Sequence, residues 1–118
     1  MEAAKAREGM PMVKLEWDRN FALEQSGDDE EVLAELLVLF RDSSLADLDK
    51  INEGIANQSP RGMADAAHSI KGAAASLGIE AIRRIASEIE QVGRAGQLAS
   101  ESQIAELSGL LAALDELS

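Results

Sequence analysis

His68 is the only histidine in a chain of 118 residues that contains no cysteine. An exposed imidazole titrates near pH 6.5, so at neutral pH a ring nitrogen keeps a lone pair able to attack phosphorus. Lys71 follows at i+3, close enough on a helix to set a compact cation beside anything bonded to that ring. Gly72 follows at i+4, where a helix-interior glycine costs about 1 kcal/mol relative to alanine. The missing side chain bares the surface next to the imidazole, as do Ala64 and Ala75, so these three positions are the expected access points for a partner. A ring used in this way needs a hydrogen-bond acceptor on its other nitrogen, and a carboxylate there fixes the tautomer and raises basicity. These residue types suit a phosphoryl acceptor.

The elements that must position them follow from periodicity. Met63, Ala67, Ile70, Ala74 and Leu77 are spaced 4, 3, 4, 3 and form the apolar seam of a helix. Ser59 is its expected cap, Pro60 its first residue, and Gly78 its C′ position. His68 lies about 140° from the centre of that seam and should face solvent. Ile82, Ile85, Ala86, Ile89 and Val92 mark a second helix, ending at the Gly93-Arg94-Ala95-Gly96 break. If the two run antiparallel about a turn at 78–79, positions summing to about 158 are level, which sets Glu90 opposite His68. Glu90 falls about 100° from its own helix's apolar centre, at the seam edge where it can reach across.

The rest of the chain supplies the scaffold. Leu33, Leu36, Leu37, Phe40, Leu48, Ile51 and Ile55 predict one long helix, entered through an Asp28/Glu31 capping box and left near Asn57. Ser100 and Gln103 open a last helix through Ile104, Leu107, Leu110, Leu111, Leu114 and Leu117. A short helix is expected over Trp17–Leu23, with Trp17 and Phe21 one turn apart and Ser26-Gly27 as its stop. The fold class is therefore all-α: an antiparallel four-helix bundle with an additional short N-terminal helix. Residues 1–14 read as a leader or linker remnant and residues 15–118 as the bundle domain.

Composition narrows the function. With 22 acidic and 11 basic residues the formal net charge is -11, which repels nucleic acid and anionic membrane surfaces. The longest apolar runs, Leu36–Phe40 and Leu110–Leu114, are far short of a membrane span. Without cysteine there is no disulfide frame, thiol nucleophile or zinc knuckle, and one histidine without a convergent carboxylate cluster argues against a metal enzyme. A cytoplasmic monomer is expected. The basic residues Arg61, Lys71, Arg83, Arg84 and Arg94 fall in or beside the hairpin that carries His68. The docking surface should be rich in small and apolar side chains, with exposed parts of Leu37 or Leu45 as further candidates. A lone surface histidine is usually inert; what singles this one out is its conjunction with Lys71, Gly72 and Glu90.

The string Ala67-His68-Ser69-Ile70-Lys71-Gly72-Ala73-Ala74-Ala75-Ser76-Leu77-Gly78 resembles the signature of histidine phosphotransfer (HPt) domains: His, then Lys-Gly three residues on, then Gly at ten. The likeness extends over about residues 15–118, through Trp17, the Gly-Asp-Asp-Glu stretch at 27–30, Phe40 and the Ile-Ala-Ser-Glu-Ile-Glu stretch at 85–90. It implies a phosphorelay intermediate in which His68 accepts a phosphoryl group from a receiver-domain aspartyl phosphate, or from an upstream sensor histidine kinase, and passes it to another response-regulator receiver. It also implies that Lys71 assists phosphoryl charge and that Gly72 gives the receiver access. Glu90 stands where some members, such as the chemotaxis-kinase type, use a glutamate and others a glutamine to bond the histidine. Such a domain is a phosphoryl carrier with no ATP site or cofactor of its own, Mg²⁺ being supplied by the partner receiver. It can stand alone or belong to a hybrid sensor kinase. The competing expectation is a helical adaptor or decoy bundle that docks receivers without carrying phosphate.

Overall fold

A computed structural model of the chain describes residues 14–117. The elements are α1 (Arg19–Gln25), α2 (Glu30–Ala56), α3 (Pro60–Ser76), α4 (Glu80–Arg94), α5 (Glu101–Ala113) and a closing 3₁₀ turn, Leu114–Leu117. No strand occurs among the described residues; the single β-bridge joins Trp17 and Ile79. Connections this short turn each long helix back on its predecessor. α3 packs on α2 and α4, and α5 closes the ring by meeting both α4 and α2, giving the expected antiparallel bundle. The core is aliphatic, with Ile51, Met63, Ile70, Ile82, Ile85, Ile89 and Leu107 fully buried.

Caps explain where the helices start and stop. The Ser59 side chain accepts from the Gly62 amide with Pro60 at the first position, and Ser100 and Gln103 form a reciprocal capping box. The long helix starts one residue later than Asp28 would have it. Asp29 is the cap, accepting from the amides of Glu31 and Val32, while Asp28 adopts φ 60° in the preceding turn. The short helix is also trimmed: Asp18 caps it through the Phe21 amide and it begins at Arg19. Trp17 lies outside it, because its ring N–H donates to the Leu77 carbonyl at 2.9 Å and its backbone pairs with Ile79. The leader expected over residues 1–14 falls, Lys14 excepted, outside the described residues.

The turn between α3 and α4 is where the entering segment is clasped. Gly78 has φ 68°, a left-handed conformation that glycine adopts without penalty. Its carbonyl accepts from the Asp18 amide at 2.9 Å, and the Ala81 amide donates to Leu15 at 3.0 Å. The hairpin that carries His68 and Glu90 is therefore closed by a glycine turn at one end and tied there to the segment before α1.

Candidate functional site

His68 projects from the outer face of α3 with its side chain 62% exposed, as the helical wheel requires. Its Nδ1 lies 2.9 Å from Glu90 Oε2 on α4. Glu90 is a buried acid, its side chain only 11% exposed at the seam between the two helices. The other carboxylate oxygen, Oε1, is 2.6 Å from Lys71 Nζ. An ionised carboxylate can only accept, so the hydrogen of the neutral ring resides on Nδ1 and the lone pair on Nε2. The solvent-facing nitrogen is then the nucleophilic one.

Burial by itself would push the Glu90 carboxyl up, but the hydrogen bonds from Lys71 and His68, with their charges, outweigh it and hold the group below its ordinary value. Glu90 thus stays anionic at neutral pH. Arg94, one turn further along α4, adds a longer contact from Nη2 to Glu90 Oε2 at 3.4 Å and pairs through Nη1 with Asp65 of α3 at 2.9 Å. The charges of Glu90 and Asp65 are balanced by those of Lys71 and Arg94, so the patch around the ring is electrically neutral despite the acidity of the whole chain.

The Arg94–Asp65 link was not anticipated, although the level rule that pairs 68 with 90 also sets 65 within one residue of Arg94. Among the other basic residues of the hairpin, Arg83 bonds Glu80 of its own helix, and Arg84 bonds Glu16 of the entering segment. Their charges are matched within the chain, which leaves less free positive charge at the hairpin than the sequence suggested. Arg61 is exposed.

The three small neighbours separate. Gly72 is exposed, and a Cβ built on it would meet nothing within 4 Å. Ala75 is exposed as well. Ala64 is not: it is fully buried, with α4 closing over it at Gly93. It therefore cannot be an access point, because α4 packs over α3 at that level. Leu37 is likewise buried in the core face of α2, whereas Leu45 is 43% exposed. A shallow groove between α2 and α3, lined among others by Leu36, Leu39, Phe40, Ser43, Ala73 and Ser76, supplies the apolar surface instead. Leu39, at 62% exposure, is the most exposed large hydrophobic residue among those described.

The sequence model of the Hpt domain matches residues 35–118. The chain belongs to the Hpt domain family. Among solved structures, the HPT domain from the Hpt sensor hybrid histidine kinase of Shewanella superposes with a TM-score of 0.67 at 20% sequence identity, over 86% of this chain and 92% of that one. At that identity the likeness establishes the shared helical fold. No curated protein sequence matches the chain. No described helix is long and apolar enough to cross a membrane.

Proposed function

We propose that the protein is a phosphorelay carrier, in which His68 accepts a phosphoryl group on Nε2 from the aspartyl phosphate of a receiver domain and passes it to a second receiver. The observation that carries this reading is the 2.9 Å contact from Nδ1 of an exposed imidazole to a buried carboxylate. In the transfer the Nε2 lone pair forms the N–P bond as the acyl P–O bond breaks, and the aspartate leaves with the electron pair of that bond. The proton on Nδ1 stays in place, so the ring becomes cationic, and the Glu90 charge offsets it. Lys71 exchanges its contact with Glu90 for the phosphoryl oxygens and neutralises part of their charge. The onward step is the reverse reaction with a different carboxylate. Mg²⁺ in the receiver's acidic pocket supplies the remaining charge neutralisation.

Access supports the same reading. Gly72 and Ala75 present no side chain that could fend off a partner's backbone, and the α2–α3 groove offers apolar surface on the flank of α3 turned to α2. The receiver docks over this face. The test is transfer of label from a phosphorylated receiver to the wild type and to His68→Gln. Acid-labile, alkali-stable label on the wild type alone is the expected result. Binding of receivers without labelling would favour an adaptor or decoy instead.

A further inference from the structure

α3 and α4 come close one turn from the Glu90–His68 pair, and the contact responsible is specific. A Cβ built on Gly93 would lie 2.6 Å from the Pro60 carbonyl oxygen and 2.7 Å from Ala64 Cβ, with Met63 Cε at 3.1 Å. The first two partners are backbone or fixed directly to it, so neither can rotate away. Gly93 is buried inside α4, where glycine carries a helix penalty, and its φ is not in the left-handed region that would favour it. Its absent side chain is explained by the close approach of the two helices.

That approach sits on the same seam as the site. Glu90 precedes Gly93 by three residues on α4, and His68 follows Ala64 by four on α3. Carbon atoms rest at about 3.5 to 4.0 Å, so a methyl at position 93 would drive the helices apart by roughly 1 Å. Added to the 2.9 Å between Nδ1 and Oε2, that displacement takes the pair beyond hydrogen-bond range. Neither Gly93 nor Ala64 carries a side-chain group that could hydrogen-bond the ring or move a proton.

We infer that Gly93 and Ala64 are positioning residues, whose close contact sets the α3–α4 spacing that lets Glu90 hold the His68 ring in the Nδ1–H tautomer. The consequence for phosphoryl transfer rests on the reading of His68 as acceptor; the consequence for the ring does not. A second glycine provides the comparison. A Cβ on Gly54 would meet the Met63 amide nitrogen at 2.7 Å, an equally severe clash, but on the seam between α2 and α3.

The experiment compares Gly93→Ala and Gly54→Ala with the wild type, using ¹⁵N shifts of the imidazole in the unphosphorylated protein, denaturant midpoints and the rate of phosphoryl acceptance. One histidine in the chain makes the ring signals unambiguous. Both variants are expected to lose stability. Only Gly93→Ala should move the ring from a fixed Nδ1–H pattern to a tautomer average, with acceptance slowed roughly tenfold or more, as for an ångström-scale misplacement. If Gly93→Ala does not fold, Ala64→Ser adds a smaller wedge from the opposite wall and should shift the ring in the same direction. An unchanged ring pattern in the folded wedge variant, or an equal change in Gly54→Ala, overturns the inference. A fixed ring in a wild type that takes no label would instead refute the carrier reading and leave the positioning role standing.

Discussion

Removing the Glu90 charge tests the mechanism most directly, because that one carboxylate takes three donors: His68 at 2.9 Å, Lys71 at 2.6 Å and Arg94 at 3.4 Å. Glu90→Gln keeps the size of the side chain and an oxygen for Nδ1–H. It replaces a charge-assisted bond by a neutral one, a loss on the order of 1 kcal/mol. With a factor of ten for each 1.36 kcal/mol, acceptance should slow about fivefold. Glu90→Ala removes the bond altogether, about 2 kcal/mol, and should slow acceptance about thirtyfold. Lys71 is released in both variants and drawn to the incoming phosphoryl group, which opposes the loss. The Glu90→Ala/Lys71→Ala double variant eliminates that compensation and should be slower than Glu90→Ala. The assay is quenched-flow transfer from a phosphorylated receiver under single-turnover conditions. Rates within twofold of wild type for Glu90→Ala and for the double variant alike would show that holding the tautomer contributes nothing, and the mechanism would have to be abandoned.

Four further outcomes follow from the same geometry. Gly72→Ala should raise stability by about 1 kcal/mol, since a Cβ there meets open space and the helix penalty of glycine is relieved; Gly72→Leu should stay folded by circular dichroism yet lose receiver binding in a titration. Gly78→Ala should cost about 1 to 3 kcal/mol in urea denaturation, because φ 68° is strained for alanine and the new Cβ would press on Asp18 O at 3.0 Å. Glu90 also gives acid sensitivity a definite sign. Its folded carboxyl is held below the ordinary 4.5, so its stabilisation is complete above that value and is lost as pH falls through the lower folded one. The stability difference between wild type and Glu90→Gln, from urea midpoints, should therefore be larger at pH 7 than at pH 3; a difference independent of pH would contradict the origin assigned to the shift.

Much of the site is local, and local features are legible in a sequence. The 4, 3, 4, 3 spacing from Met63 to Leu77 fixes which face of α3 is buried, and with it the outward direction of His68. Ser59, Gly78 and Ser100 mark helix ends through hydrogen bonds that span only a few residues. Even the pairing of His68 with Glu90 followed from a short turn, because a three-residue connection leaves an antiparallel hairpin little freedom of register. Errors at the edges had equally local causes: Asp28 and Asp29 are chemically interchangeable as caps, and only the backbone of the preceding turn selects the second.

Tertiary packing decided the remainder. Ala64 and Ala75 are the same residue type on nearly the same strip of one helix, about 20° apart after eleven residues, yet Ala64 lies under α4 at Gly93 and Ala75 faces solvent, a difference set by how closely the next helix approaches at each level. Trp17 fits a helical pattern with Phe21, but the Leu77 carbonyl offers its ring N–H a partner 60 residues away, and the chain unwinds there to meet it. Arg84 and Arg94 look alike in sequence, and the rotation of α4 sends one to Glu16 and the other to Asp65 and Glu90. Spacing and residue type determine what each helix can present on its faces. Which faces are covered, and how closely two backbones approach before side chains intervene, depends on contacts between residues distant in the chain, and those distances exist only once the bundle has closed.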